Sequence, residues 1–494
     1  MTSITTPQEI TSEKLSLWRR IGYGLGDVYG GGANTLVTFY YLFFLTDVIL
    51  LNPGYATAVL VISKVYDAIT DPLEGILSDR TRTRWGRRRP YILIGIPFVF
   101  LSFFTLFFPI NFENELFKFG YVLFAFLFYS TIFSIVMLNY NAVQSEMTLD
   151  YNERTALSTW RISFSTIASL VAAGLPLIIV EQFQDVRDGY IAMAAFFGIF
   201  FAIPYVATFF AIREREEFQK PPKKLNWREV LLDPFLVKTF VVALVMFFLT
   251  FTAMDVVSSI VIYFMKYYMG QGDETNFVLV VLMISQILSL PFYGWLSKRT
   301  SKKIGFILGS FIWLTMMLFG LLLGPHLPSF TIYIFAAIVG LGTGGIIVMI
   351  YSIFPDIPDV DELQSKERRE GIYSSLTTLV RKLSTALGLF LVGSTIAIAG
   401  YKKPIEEVVD GATKMIEQEQ TDSFILVLRL IFTFIPVILV GIGIIASYFY
   451  PLSPDRHNHL RELLTKKRAG EPETEEMQTE AEDLTNTLIR WRKV

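Results

Sequence analysis

Apolar residues in this chain run in blocks about as long as a bilayer is thick, and the charged residues are confined to short links between them. A helix rises about 1.5 Å per residue, so about 20 apolar residues cross the hydrocarbon. In that medium every backbone polar group has to be satisfied within its own helix. Such blocks exclude a soluble multidomain chain, although 494 residues would be long enough for one. Composition agrees: 52% of residues are hydrophobic and 44 are Phe, with a mean hydropathy of +0.47. The pattern predicts an all-α membrane protein of twelve transmembrane helices. They are expected at roughly 20–48, 54–79, 90–110, 117–145, 154–181, 189–212, 235–265, 275–297, 303–324, 328–354, 371–400 and 422–450. No small-residue cleavage site follows the first block, so it is not read as a removable signal peptide.

The links alternate in charge. Arg80, Arg82, Arg84, Arg87, Arg88 and Arg89 follow span 2, whereas Leu51 to Tyr55, after span 1, contains no Lys or Arg. Lys298, Arg299, Lys302 and Lys303 follow span 8, and Lys366, Arg368 and Arg369 precede span 11. The positive-inside rule makes these links and both termini cytoplasmic, in a cell inner membrane. The loop with Lys402, Lys403 and Lys414 is the exception, and it is also acidic. A net charge of -2 gives no basic face for nucleic acid, and the absence of Cys rules out disulfides and thiolate metal sites.

The chain repeats itself. Gly75-Ile-Leu-Ser78-Asp79-Arg80 after span 2 echoes Gly294-Trp-Leu-Ser297-Lys298-Arg299 after span 8, with Pro72 and Pro291 at the same offset. A hydrophilic stretch divides the halves. The expected units are 1–212, a cytoplasmic linker 213–234, 235–450 and a cytoplasmic tail 451–494, which lacks an apolar face of any length and is expected as a partly disordered or helical appendage. Two parallel six-helix halves define the major facilitator architecture, with its solute site between them near the midplane.

Span 2 contains Lys64-Val-Tyr-Asp67-Ala-Ile-Thr70-Asp71-Pro72. Asp67 and Asp71 are four apart and share a helix face. Two like charges there destabilise each other, and the bilayer worsens it; a bound cation or proton relieves both costs. Thr70 adds a neutral oxygen, and Lys64 lies one turn away to neutralise one carboxylate. The competing reading is a set of structural salt bridges. The equivalent positions of the second half, Gln286 and Leu290, carry no charge.

The run from Asp67 to Pro72, then Gly75, then Asp79-Arg80-Thr-Arg-Thr-Arg-Trp85-Gly86-Arg87-Arg88-Arg89-Pro90-Tyr91, resembles the glycoside–pentoside–hexuronide:cation symporter family. Gly22 to Asp27, Glu153-Arg154-Thr155 with Arg161, and Arg368 to Gly371 leading to Lys382 extend the resemblance over the membrane region. It implies cation-coupled symport of a sugar or glycoside by alternating access. Asp67, Thr70, Asp71 and Ser134 would take Na+ or H+; Asp27, Asn34, Tyr140, Arg161, Thr378 and Lys382 would meet substrate. Lys64 and Lys382 would balance charge and couple the sites. Asp27 with Arg161 can also be read as a mutual ion pair, and Lys382 as a snorkelling base. Family members that carry galactosides have an acid, a Pro and a Trp in span 4. The matching stretch here, Phe133 to Asn141, has none of them, which argues against α-galactosides. There, Tyr140 is expected to stack on a sugar ring, and Asn139, Asn141 and Gln144 either touch substrate or join helices.

Asp79, Arg80, Arg87 and Arg88, facing Glu146 and Asp356, are expected to form a cytoplasmic gate. Asp255 is either a cavity acid or a pairing partner, and Arg381 a structural base. Gly340 to Gly345 fits G-x-G-x-x-G but lies inside an apolar span, so it reads as helix packing. No Walker A sequence and no nucleophile–His–acid set is present, so neither ATP-driven transport nor an enzyme is expected. The expected partners are a small solute and the bilayer, for a monomer without cofactor. The other readings are a Na+-coupled carrier of lysolipid and a non-transporting membrane sensor. The deep charges Asp27, Asp67, Asp71, Lys64, Arg161 and Lys382 sum to zero.

Overall fold

A computed structural model describes residues 14–148, 151–212, 214, 232–366, 369–409, 412–468 and 474–491. Helices begin where a short polar side chain takes an otherwise orphaned N–H: Ser16 before span 1, Asn52 before span 2, Asn114 before span 4, Ser301 before span 9 and Thr421 before span 12. Span 1 is a composite of Leu17–Leu25 and Asp27–Leu36, continued by π turns at Val37–Tyr41 and Phe44–Val48. Spans 2 to 4 are Pro53–Arg80, Arg89–Leu106 and Glu115–Met147. Span 5 is Tyr151–Gly174 with the short Pro176–Val180, and span 6 is Val186–Ala202 with Pro204–Ala211. In the second half, span 7 is Lys238–Tyr263 with a π turn Phe264–Tyr268, and span 8 is Thr275–Arg299. Spans 9 to 12 are Lys302–Phe319, Phe330–Ile353, Glu370–Ile398 and Asp422–Tyr448.

Among the described residues nine helices are long and apolar enough to cross a membrane on composition alone. The three spans outside that set, 1, 2 and 5, are the ones diluted by polar residues. Span 2 holds Lys64, Asp67, Asp71 and Glu74, span 5 holds Arg161 among hydroxyls, and span 1 is broken into short segments. The charged groups that dilute them are buried or paired: Asp27 and Asp67 are buried, Arg161 is on Asp27 and Asp71 is on Lys382.

Packing repeats with the sequence. In the first half, span 1 packs on spans 5 and 6, span 2 on span 4, and span 3 on spans 4 and 6. In the second, span 7 packs on 11 and 12, span 8 on 10, and span 9 on 10 and 12. Each pair has its counterpart six spans on. Contacts between halves obey the same symmetry: span 2 meets span 11, span 5 meets span 8, and span 1 meets span 7. The glycines of span 10 lie against spans 8 and 9, the packing role expected of Gly340 to Gly345. Outward surfaces are apolar, as in the span 2 row Val65, Ile69, Leu73 and Leu77 at helical spacing.

At the end remote from the chain termini the halves are tied together. Lys403 binds Glu115 at 2.7 Å and the Leu50 carbonyl at 2.6 Å. Arg187 binds Glu406 at 2.7 Å, where Glu406 belongs to a hairpin of β1 (Ile405–Val409) and β2 (Ala412–Ile416). The Tyr40 hydroxyl donates to Asn276 at 2.9 Å, and Thr46 and Tyr263 hydroxyls lie 2.6 Å apart.

The tail is helical, one of its two expected forms, but it carries the apolar faces it was expected to lack. Helices Pro454–Arg468 and Glu475–Leu488 bury Leu460, Leu463, Leu464, Met477, Leu484 and Leu488. They pack under the second half on helix Ile357–Ser365. The Lys238 N–H donates to the Ile489 carbonyl at 3.0 Å, and Thr239 to Leu488 at 2.6 Å. The apolar faces are short but present. The linker expected at 213–234 lies, apart from Glu214 and 232–234, outside the described residues.

Candidate functional site

Spans 1 and 5 touch closely because Gly24 has no side chain: a Cβ there would stand 2.9 Å from the Trp160 carbonyl carbon. That approach brings Arg161 Nε to 3.1 Å from Asp27 Oδ2. Asp27 is buried, while the Arg161 side chain keeps 26% of its surface exposed, so the pair retains donors for a solute. Tyr140, expected to stack on a sugar ring, shows no open face for one in this structure. It is fully buried, its ring stacked 4.7 Å from Tyr23, and its hydroxyl donates to the Tyr23 carbonyl at 2.8 Å. It supports Arg161, which lies 5.4 Å over its ring. Gln144 and Asn139 join helices: Gln144 donates to Ser158 at 2.5 Å, and Asn139 takes a bond from Ser78 of span 2.

Span 2 presents Asp67 and Asp71 to span 4. Asp67 is 2% exposed; it accepts from Lys64 at 3.2 Å and from the Ser130 hydroxyl. Asp71 receives Lys382 from span 11, whose ammonium also lies 3.4 Å from Ser134. A base of the second half thus reaches an acid and a hydroxyl of the first. The Thr70 hydroxyl donates back to the Tyr66 carbonyl at 3.1 Å, leaving its lone pairs. Glu74, one turn beyond Asp71, was not singled out from the sequence. Glu74 Oε2 and Asp71 Oδ1 are buried without a hydrogen-bond partner. Among the described residues no three His, Cys, Asp or Glu converge as a metal cage. The donor set is two carboxylates on one face with hydroxyls and ammoniums around them.

The second half holds a matching pair. Gly388 of span 11 admits span 7, since a Cβ there would lie 2.9 Å from Asp255 Cβ. Arg381 then binds Asp255 in a two-pronged fork at 2.5 and 2.9 Å. Each half therefore pairs an acid of its first helix with an arginine of its fifth. The Asp255 pair borders a cavity of about 210 Å³ between the halves, which Asn34 of span 1 also lines. Thr378 lies exposed with Gly371, Ser374 and Ser375 on span 11, a polar face leading toward Lys382 from the end that carries the termini.

Of the residues expected at the cytoplasmic gate, Asp356 and the backbone of Arg87 and Arg88 meet partners within their own halves. Asp356 binds Lys302 of its own half, and His457 of the tail approaches to 3.9 Å. The backbone N–H groups of Arg87, Arg88 and Arg89 wrap the Glu214 carboxylate at 2.6 to 2.8 Å. Arg80 is exposed, and the side chains of Asp79 and Glu146 lie outside the described residues. Among the described residues a closed contact between halves lies at the far end, around Asp47. It is buried against Lys266 at 3.8 Å and takes a bond from Tyr267. Asp47 lies at the end of an apolar block, where an acid carries no signal in the sequence alone. Burial, then the Asp47 charge, pushes the neighbouring Tyr401 phenol far above its ordinary range.

These features have known counterparts. The chain is 27% identical to a putative glycoside/cation symporter, YagG, of Escherichia coli, over 93% of this chain and 97% of that one. It is 23% identical to sodium-dependent lysophosphatidylcholine symporter 1-B of Danio rerio, over 95% and 94%. The solved xylose transporter XylE of E. coli shares its fold, with a TM-score of 0.57 at 13% identity over 87% and 94%. Two six-helix halves in this packing are the major facilitator fold. Residues 22–454 match the family model described as MFS/sugar transport protein, and the chain belongs to that family of membrane transporters.

Proposed function

We propose that the protein is a symporter that moves a neutral sugar or glycoside together with one monovalent cation, by alternating access. The observation that carries this reading is Lys382 of span 11 on Asp71 and Ser134 of spans 2 and 4, beside Asp67. An ammonium at a carboxylate is what a cation would displace, and its release loosens a contact between halves. Charge around the proposed ion site supports this: Asp67, Asp71 and Glu74 of span 2 meet Lys64 and Lys382, an excess of one acid that a bound monovalent cation or proton neutralises.

In this reading Asp67, Asp71, Thr70 and Ser134 take the ion, and Asp27 with Arg161 takes sugar hydroxyls. The end carrying the termini is cytoplasmic, and the sealed end, with Asp47 and Lys403, is the external gate. The exposed polar face at Thr378 then makes this the inward-facing state. The protein works as a monomer in the inner membrane, uses no cofactor besides its coupling ion, and performs no covalent chemistry. The Danio rerio relative raises lysolipid as cargo. The cavity is small, about 210 Å³, and sets Asp255, Arg381, Gln286 and Thr343 among apolar side chains such as Phe251, Met283 and Trp313; its size suits a compact solute better than a long acyl chain. Uptake into proteoliposomes decides the matter. Labelled pentoses, hexoses and methyl glycosides are offered under sodium or proton gradients, with lysophosphatidylcholine as the other arm. Accumulation of a sugar that collapses with the gradient is expected; gradient-driven movement of the lysolipid alone would overturn the reading.

A further inference from the structure

We propose that the second half carries a hydroxyl-binding subsite of its own, formed by Asp255, Arg381, Gln286 and Trp313, which holds a second part of the same sugar. This rests on the reading of the protein as a sugar carrier. From the sequence the solute is expected on Asp27 and Arg161 in the first half and on Lys382 and Thr378 in the second, with Asp255 open between a cavity acid and a pairing partner. The geometry adds a facing set. Asp255 is 2% exposed, and its two oxygens are held by Arg381. Arg381 is fixed in turn by Thr385 at 2.7 Å and by the Phe251 ring 4.6 Å from its guanidinium carbon. A neutral, pre-oriented pair of this kind keeps spare lone pairs and N–H groups on its cavity side, the complement of neighbouring sugar hydroxyls.

Two further observations point to a ligand there. Trp313 lines the same cavity, is 1% exposed, and its indole N–H is buried with no acceptor. A buried donor without a partner is costly, and an acceptor oxygen supplied by a bound solute satisfies it. Gln286 spends one amide N–H on Thr343 at 3.1 Å and has its carbonyl oxygen to offer. Asn34 of span 1 lines the opposite wall, so a molecule lying here touches both halves. The pairing of first and fifth helices, Asp27 with Arg161 and Asp255 with Arg381, gives the pocket an approximate twofold character. Such a pocket suits a solute with hydroxyls at both ends and disfavours one with a long apolar arm. Each half then grips one end, and loss of either grip weakens binding.

The test uses the purified full-length protein in detergent. Sugar binding is measured by calorimetry against D-glucose, D-xylose and methyl β-D-glucoside, with sodium or lithium salt and at two pH values. Arg381→Gln is expected to weaken the best-bound sugar about tenfold or more, and Trp313→Phe, which keeps the ring and loses the N–H, about three- to tenfold. Gln286→Leu should fall between them. Cation-induced thermal stabilisation should persist in all three, which distinguishes a lost subsite from a misfolded protein. Because Arg381→Gln leaves Asp255 without its guanidinium, the Asp255→Asn/Arg381→Gln double variant serves as the control for folding, and it should bind as weakly. Wild-type binding of a sugar with unchanged affinity in Trp313→Phe, Gln286→Leu and the double variant would overturn this inference and leave the sugar reading standing. Failure of the wild type to bind any of the three sugars would overturn both.

Discussion

Replacing Asp67 by Asn removes one charge from the proposed cation site and almost none of its shape. Asp67 is buried, with Lys64 at 3.2 Å on one oxygen and Ser130 on the other, so the amide oxygen keeps one of these bonds while the amide NH2, a donor, replaces the other acceptor and Ser130 turns its hydroxyl to accept. A unit charge about 4 Å from a monovalent ion contributes about 4 kcal/mol at an effective dielectric of about 20. The amide dipole restores part of that, while the Lys64 ammonium, no longer neutralised, repels the ion. A net loss of about 2–3 kcal/mol follows, or roughly 30- to 150-fold in cation affinity. In proteoliposomes the variant should lose gradient-driven accumulation yet retain equilibrium exchange of sugar across the membrane, since exchange needs no net cation flux. Cation half-saturation within about threefold of wild type, with accumulation intact, would show that Asp67 does not hold the ion.

Asp27→Asn should weaken sugar binding about tenfold or more, because Arg161 loses its counter-charge and the solute loses an acceptor, while cation binding is retained; loss of cation binding with sugar binding kept would exchange the two sites. Asp47→Asn should loosen the far-end seal held by Lys266 and Tyr267. The chain has no native Cys, so a cysteine placed at Asn34 reports this directly: its labelling by an impermeant reagent from outside should rise, and an unchanged rate would argue against a gate there. Truncation after Pro451 should lower the melting temperature by several degrees, since it strips Leu460, Leu463 and Leu464 from the second half; an unchanged melting curve would make the tail an ornament.

What the sequence disclosed follows from which interactions are local. Asp67 and Asp71 share a face by helical spacing alone, and Lys382 lies too far into span 11 to belong to an interface. The repeat between halves was visible in short echoes because each half has to bury the same helix pairs. Other features depend on contacts that no local pattern encodes. Tyr140 looks like a sugar platform until Tyr23 is found stacked on it. Arg381 is the structural base expected of it, forked on Asp255, but no local pattern shows that this pair borders a cavity wall. Glu74 lies at i+7 from Asp67, on the same face, and the spacing that revealed the pair would have revealed the third acid. The tail face was readable too: Leu460, Leu463 and Leu464 stand at i, i+3 and i+4. The π turns of span 1 carried no such signal, since a 3.6-residue period does not register them.

Coupling through Asp71 and Lys382 is the centre of this account, and reciprocal binding tests it most directly. Sugar affinity is measured with and without sodium, lithium or added protons, and cation affinity with and without the sugar, in wild type and in Lys382→Ala. Linkage requires that each ligand tighten the other by the same factor. In wild type that factor should be about five or more, on the order of 1 kcal/mol, and in Lys382→Ala it should fall toward one. Sugar affinity indifferent to every cation in the wild type, or equal coupling in Lys382→Ala, would contradict the account.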